Sequence, residues 1–370
     1  MVEAVALYPE VEEELRLVES PSMPIALGAA GTGVLSERAR EARERYHAYA
    51  EFVLRDKRGR RIRQAIIHRT WYVHVMACWA AGVHPAILSM WGHGKSTQLV
   101  IGLPTWLIGL DQTLRTKIVC NTDTKAMERT MGISTVLRSP YYRLTFPEVH
   151  PVSAEKVAKT GQQSKWTQHD IFVDRPGFAL DASFQAAGVL SGGLGGRCDL
   201  LILDDIVDRK NAIDHPADRE RVIGTVEDVW MSRMESDARL LYVGNMWHQA
   251  DYSHKILERP AWCVLRQWIS DDFQRIEQEV YHPPPNYPLP PLSGAPLARG
   301  DDDWIRVKSS NLRAIRYDAK EEVLEVAFVK SGTYRFLSVP KAVYDGLRRA
   351  KSKGKYLAAH VKNRYEFERA

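Results

Sequence analysis

The chain has 370 residues, 45% apolar and 26% charged, with 51 Lys/Arg against 46 Asp/Glu. That length holds one large α/β domain and something smaller, and the composition is that of an ordinary soluble globular protein, not a disulfide scaffold. Charge is unevenly placed: residues 304–370 carry 16 Lys/Arg and 7 Asp/Glu, whereas the remainder carries 35 and 39. Basicity therefore belongs to the C-terminal segment, and a polyanionic partner is expected for that part alone.

In chain order, residues 1–64 read as a helical N-terminal region. Its acidic start (Glu3, Glu10, Glu12, Glu13, Glu14) lacks the apolar run of a signal peptide. Ser36–Arg55 is dominated by charges at helical spacing and reads as a solvated helix, followed by the basic cluster Lys57–Arg63 in a solvated turn. His68–Ala81 is apolar at helical spacing and is expected to pack on a core. His74, His84 and Pro85 make residues 71–91 a buried helix and strand, not a membrane span, so no membrane is expected as partner. Cys78, Cys120, Cys198 and Cys263 form no C-x-x-C pair. Neither a zinc site nor a disulfide framework is expected, and a reducing, cytoplasmic setting fits.

The apolar run Pro85–Leu88 enters the Gly-rich stretch Met90-Trp91-Gly92-His93-Gly94-Lys95-Ser96-Thr97, and Leu99-Val100-Ile101 comes next. A buried strand, a Gly-rich turn and a helix form the context of a phosphate-binding loop. Backbone N–H groups in such a turn face anionic oxygens, and the helix N-terminus adds partial positive charge. Gly92, His93, Gly94, Lys95, Ser96 and Thr97 are accordingly the expected nucleotide-binding residues, with Lys95 on the β- and γ-phosphates and the Ser96 hydroxyl on Mg²⁺. The first Gly of G-x-x-x-x-G-K-[ST] is replaced by Ser89, so a tight strand–helix turn is the competing reading.

Gln98–Leu110 reads as an apolar helix kinked or interrupted at Pro104. Thr116–Asn121 is expected as a strand with a helix from Asp123 to Leu137 behind it; Ile171–Val173 and Ser183–Ala186 are expected as short strands. Alternation at this spacing is the pattern of a parallel sheet with helices on its faces. Glycines 188, 192, 193 and 195 mark a loop expected to be mobile. Next comes Leu200-Leu201-Ile202-Leu203-Asp204-Asp205, a doubly buried strand delivering two carboxylates at its end. Asp204 is placed to hold Mg²⁺, and Asp205 to orient or deprotonate water. Arg197 reads either as an arginine finger, in cis or toward a neighbouring subunit, or as a salt-bridge partner of Asp199 or Asp208. Leu240–Asn245 is another buried strand; Asn245 can sense a γ-phosphate, and His248 is either part of that machinery or a hydrogen-bonded core histidine.

Four ordered motifs carry a resemblance: Gly92–Ser96; Asn121-Thr122-Asp123-Thr124; Gly193–Asp199 running into Asp204-Asp205; and Val243-Gly244-Asn245-Met246-Trp247-His248. Together, over roughly residues 65–270, they resemble the ATPase of tailed-phage terminase large subunits. The resemblance implies an additional-strand, RecA-like P-loop ATPase using ATP and Mg²⁺ to drive double-stranded DNA into a capsid. It also implies a small terminase subunit, a portal protein, a homo-oligomeric ring and the host cytoplasm. The chain departs from the family at Trp91, where an Arg is usual, and at Asn245-Met246, where the coupling motif usually reads Thr-Arg. The family's RNase-H-like nuclease domain is not expected in the remaining residues.

Pro283, Pro284, Pro285, Pro288, Pro290, Pro291 and Pro296 make 280–303 an extended linker, setting 65–279 as the ATPase domain. Residues 304–370 then show Val307–Ser310, Ile315–Asp318, Leu324–Phe328, Gly332–Tyr334 and Val339-Pro340, and resemble the KTSC domain. Alternation in Val323–Phe328 and Tyr334–Val339 predicts a hairpin, and a helix over Lys341–Lys351 is expected to pack on it. Arg348, Arg349, Lys351, Lys353, Lys355, Lys362 and Arg364 are the candidate nucleic-acid contacts. The expected fold is thus α/β with a mostly parallel sheet, plus a small α+β domain. The expected function is ATP-driven DNA translocation. Two alternatives stand beside it: a nucleic-acid-binding or assembly protein with a degenerate nucleotide site, and a helicase-like ATPase in another role.

Overall fold

The computed structural model describes residues 32–369 except 57, 177–179, 192–194, 270–274, 289–294, 297–304, 308, 310, 319–321, 329–331, 351 and 363. The chain forms two compact units, Met1–Leu297 and Ala298–Ala370.

Unbroken apolar runs cannot leave one face in water, so they become strands covered on both sides. In the first unit such runs lie within β1 (His84–Leu88), β2 (Thr116–Cys120), β4 (Phe184–Gly188), β5 (Cys198–Asp204), β6 (Met234–Gly244, buried from Leu240 onward) and β7 (Trp262–Ile269). With the short β3 (Asp170–Ile171), β8 (Arg275–Tyr281) and β9 (Ala295–Pro296), they make a sheet of order β3-β4-β2-β5-β6-β1-β7-β8-β9. The six central strands pair in parallel and the flanking ones antiparallel. Register aligns Cys120 with Asp204, Asp204 with Val243, and Leu88 with Gly244. One sheet edge therefore gathers the residues just past four strand ends: Ser89, Asn121, Asp205 and Asn245.

Helices cover the faces. Ser36–Arg55, expected as one solvated helix, is instead two, Thr32–Glu44 and Tyr46–Val53. Tyr46, Tyr49, Ala50, Phe52 and Val53 are buried. Tyr46 stacks on Tyr72 at 5.0 Å and meets Trp106 edge-on; the charges that suggested solvation belong to the first helix, and the second carries an aromatic stripe. Beyond the Gly-rich loop the chain winds as a π-helix over Ser96–Gly102 and as an α-helix over Leu103–Leu110. The change of winding precedes Pro104, which sits in the first α-turn, where a missing N–H is tolerated. In the stretch expected as a linker, Ala295 and Pro296 pair with β8, and the Tyr287 hydroxyl is hydrogen-bonded to His74 Nδ1.

The second unit is an antiparallel sheet, β10 (Ile305–Arg306), β11 (Leu312–Asp318), β12 (Val323–Phe328), β13 (Gly332–Phe336) and β14 (Phe367–Arg369), in that order. β12 and β13 form the expected hairpin. Helices Lys341–Arg349 and Lys353–His360 share its core of Leu312, Ile315, Leu324, Val326, Phe336, Leu347 and Leu357. The chain is therefore a mixed α/β protein with a large, mostly parallel sheet and a separate small antiparallel one. Among the described residues, no helix is long and apolar enough to cross a membrane.

Candidate functional site

Gly92 (φ +80°) and Gly94 (φ +82°) take left-handed conformations, which is why glycine stands at both places in the turn after β1. The turn brings Lys95 inward and buries it. Its ammonium donates to the Ser89 carbonyl, to the Met90 carbonyl at 3.1 Å and to Asn245 Oδ1 at 3.1 Å. Burial pulls the Lys95 pKa down to about 8, against the pull of Asp205 and Asp204. Ser89, standing where a glycine was expected, donates its hydroxyl to Gln267 Oε1 at 3.1 Å, and Trp71 Nε1 reaches the same oxygen at 2.7 Å. His93 turns its carbonyl toward His68 Nε2 at 3.0 Å and is half-buried, as is Thr97.

Ser96 is the residue through which this turn meets the acidic strand. Its hydroxyl donates to Asp204 Oδ1 at 3.3 Å. Asp204 is fully buried at the end of β5, and its second oxygen accepts from Arg129 Nε at 2.6 Å. Burial lowers the Arg129 pKa, but the charge and hydrogen bond of Asp204 outweigh it, and the net shift is upward. Asp205 has φ +46°, a left-handed conformation unusual for a side-chain-bearing residue and of the kind that gathers at functional sites. Its carboxylate accepts from Asn245 Nδ2 at 3.2 Å. Burial and the neighbouring Asp204 charge push its pKa up to about 6, with Lys95, Arg129 and Asn245 pulling the other way.

Arg129, Asp204, Asp205 and Asn245 line a cavity of about 270 Å³ together with Trp91, Cys120, Asn121, Lys125, Val207, Asp208 and Trp247; Lys95 and Ser96 are not in the lining and reach it through their hydrogen bonds to Asn245 and Asp204. Trp91, 66% exposed, meets Trp247 with ring centroids 5.4 Å apart. Asn121 Nδ2 donates to Asp208 Oδ2 at 2.5 Å. Ser96 and Asp204 offer adjacent hard oxygen donors of the type Mg²⁺ takes, while Asp205 is a carboxylate whose raised pKa suits proton transfer.

Lys95, Ser96, Asp204, Asp205 and Asn245 thus come together. Arg197 and His248 do not line the cavity. Arg197 precedes β5, at the opposite end of the strand from Asp204, and donates to the Ser232 and Met234 carbonyls at 3.1 and 3.3 Å. The salt bridge to Asp199 goes to Arg115 instead. His248 is exposed, not a core residue, and its Nδ1 meets Arg219 and the Ala250 N–H. Sequence reasoning passed over Arg129 and Lys125, and took Asp208 only as a salt-bridge candidate for Arg197. Lys125 and Arg129 stand one helical turn apart on Asp123–Arg138, a spacing legible once the helix is placed. Away from the cavity, His74, Cys78 and Cys263 hold their ligand atoms within 4.8 Å of one another, all buried. No short-range spacing announces that cluster, because 185 residues separate Cys78 from Cys263.

On the second unit, Arg348, Arg349, Lys355, Lys362 and Arg364 are exposed. Lys353 is engaged: its ammonium donates to the Arg348 and Ala350 carbonyls at 2.6 and 2.7 Å, closing the helix before it. Lys351 lies outside the described residues. Tyr344 is buried and stacks on Tyr317 at 4.7 Å, so it serves the core and not a ligand.

Fold and site together define a two-unit α/β protein, with a cavity lined by both carboxylates and apolar side chains at the C-terminal edge of a mostly parallel sheet, and a small basic domain. The family model for the KTSC domain matches residues 308–365, and through that unit the chain belongs to the KTSC domain family. A KTSC domain protein from Yersinia pestis is 30% identical over 18% of this chain and 94% of its own, with a TM-score of 0.18. A protein of Tsukamurella paurometabola is 37% identical over 59 residues, covering 16% of this chain and 88% of the relative. An uncharacterized protein of Stutzerimonas stutzeri is 36% identical over 52 residues, or 14% and 73%. The HK97 bacteriophage large terminase is similar over 62% of this chain and 44% of its own, at 15% identity and a TM-score of 0.40.

Proposed function

We propose that the first unit is an additional-strand P-loop ATPase, and that the chain is a DNA-translocating motor of the terminase large-subunit type. The observation that carries this reading is the meeting of Ser96, at the start of the helix after β1, with Asp204, at the end of β5, 3.3 Å apart although β6 is inserted between the two strands. On this reading Gly92, His93 and Gly94 form the phosphate cradle, and Lys95 leaves the Ser89 and Met90 carbonyls for the β- and γ-phosphates. Ser96 and Asp204 would hold Mg²⁺, which when bound supplies neutralising charge at the phosphates. Asp205 takes the proton of the attacking water, and Asn245, already bonded to both Lys95 and Asp205, links the two to the end of β6. The exposed cations of the KTSC unit would lie along duplex phosphates. A small terminase subunit, a portal protein, a ring of identical chains and a host cytoplasm complete the proposal.

A second reading, a nucleic-acid-binding or assembly protein with an idle nucleotide site, draws on two contacts. Lys95 is turned back on its own loop, and Arg129 already neutralises Asp204. Steady-state ATP hydrolysis by the full chain, with and without linear duplex DNA, separates the two. Turnover stimulated by DNA supports the motor; no turnover under either condition leaves the second reading standing.

A further inference from the structure

Both oxygens of Asp204 are taken, one by the Ser96 hydroxyl at 3.3 Å and the other by Arg129 Nε at 2.6 Å. Asp204 is wholly buried and the Arg129 side chain is 19% exposed, so water does little to screen this pair. Among the described residues lining the cavity, Arg129 is the one guanidinium. A divalent cation held by Ser96 and Asp204 would sit beside that guanidinium, and two positive groups on one buried carboxylate repel. Arg129 projects from a helix whose first turn is fixed: the Thr122 hydroxyl accepts from Lys125 N at 3.3 Å, and Asp123 Oδ1 accepts from Gly188 N at 2.7 Å. The backbone is anchored, and the long side chain lines the cavity, where Asp205 and Asp208 offer further negative charge.

We propose that Arg129 is a cationic latch on the metal-binding carboxylate. In the nucleotide-free protein it holds Asp204 against the cation; when a metal–nucleoside triphosphate enters, it gives up Asp204 and turns its charge to the terminal phosphate. This inference rests on the ATPase reading above and assigns that site its regulation. The latch keeps the centre from collecting a bare metal ion, and it couples metal arrival to the placement of a cation on the phosphate.

The test uses the full chain, wild type against Arg129→Ala and Arg129→Lys, with two readouts. The first is binding of Mn²⁺ alone, without nucleotide, by electron paramagnetic resonance. The second is kcat with saturating Mg²⁺ and ATP. Arg129→Ala is expected to bind Mn²⁺ about tenfold more tightly, a coupling of ordinary size, because the competitor is gone. Its kcat is expected to fall by about 10³-fold, the lower end of what an arginine on a transferring phosphoryl group contributes. Arg129→Lys is expected to fall between the two proteins in both measurements. A structural role for Arg129 would lower thermal stability and turnover without tightening Mn²⁺ binding. Unchanged or weaker Mn²⁺ binding in folded Arg129→Ala, or unchanged kcat, overturns the latch. If Arg129→Ala does not fold, Arg129→Gln, which keeps bulk and polarity, takes its place with the same expected and overturning results. Wild-type protein that neither binds nor hydrolyses ATP overturns the ATPase reading itself, a failure distinct from that of the latch.

Discussion

Lys95 Nζ and Asn245 Oδ1 lie 3.1 Å apart across 150 residues of sequence, joining the Gly-rich turn to the end of β6. The same ammonium holds two carbonyls of its own turn, so the cation that would meet phosphate also shapes the loop itself. Lys95→Ala is expected to abolish ATP binding while leaving the fold in place, since the main counter-charge to the phosphates is lost. Nucleotide affinity and thermal melting are measured together. Unchanged affinity in a folded variant removes this loop as the phosphate site.

Asp204 and Asp205 are neighbours with different surroundings. The first is fixed by Ser96 and Arg129; the second accepts only the Asn245 amide among the hydrogen bonds described. Asp205→Asn is expected to retain Mg·ATP binding and to lose turnover by about 10²–10⁴-fold, the range for a general base. Asp204→Asn is expected to raise the Mg²⁺ concentration required, because it removes a ligand charge. Equal behaviour of the two variants in binding and turnover contradicts the separate roles.

The order of motifs was legible because buried parallel strands must be apolar throughout, and because a left-handed turn demands glycine at 92 and 94. Asp204, Asp205 and Asn245 sit at or just beyond strand ends, where the chain's periodicity visibly stops, and Lys95 and Ser96 close the Gly-rich turn that follows β1. Arg129 was not legible: it lies mid-helix among Lys125, Glu128 and other polar residues, and only the register of β2 against β5 turns it toward Asp204. Arg197 illustrates the complementary point for a role in cis. Seven residues before Asp204 in an extended strand means the far end of the sheet, not the same edge. The covering helices were misjudged at Tyr46–Val53 because the charges of residues 37–45 were extended over it, although Glu51 is its one charged residue and Tyr46, Tyr49, Ala50, Phe52 and Val53 already mark an apolar stripe.

His74 is fully buried beside Cys78 and Tyr287, and burial drives its pKa down to about 3. The unfolded chain takes up a proton near pH 6.5 and the folded one does not, so the stability this histidine contributes is present above pH 6.5. It is lost as pH falls from there toward 3, at up to about 1.4 kcal/mol per pH unit. Denaturant melts of wild type and His74→Gln between pH 7 and pH 4 provide the check. The variant is expected to start less stable and to lose stability less steeply. Parallel slopes would place the acid sensitivity elsewhere.

The four cysteines, Cys78, Cys120, Cys198 and Cys263, are all buried, and burial raises the pKa of Cys78, Cys120 and Cys198. Thiolate is the reactive form, so these three are doubly protected. Native protein is expected to react slowly with a thiol-specific disulfide reagent, and all four to react at once in denaturant. Rapid native labelling of Cys120 would show that the cavity it lines opens to solvent.

The KTSC unit has its own core and presents Arg348, Arg349, Lys355, Lys362 and Arg364 to solvent, whereas Lys353 is committed to closing a helix. If those exposed cations lie on duplex phosphates, each contact releases condensed counterions, and log affinity falls linearly with log salt by roughly 0.9 per contact. Replacing Arg348, Arg349, Lys355 and Lys362 by alanine in the full chain is expected to weaken duplex binding and to flatten that slope by roughly 3 to 4. Lys353→Ala instead removes a helix closure, and is expected to lower the melting temperature of the unit with little effect on the slope. Stacking on unpaired bases is not expected from Tyr344, whose ring is buried against Tyr317, so duplex and single strand should differ little through it. Binding is measured on both nucleic acids across a salt series, with basal ATP turnover monitored in parallel. A fourfold variant with the wild-type slope shows that this face does not touch nucleic acid, and docking to an acidic protein surface then becomes its better account.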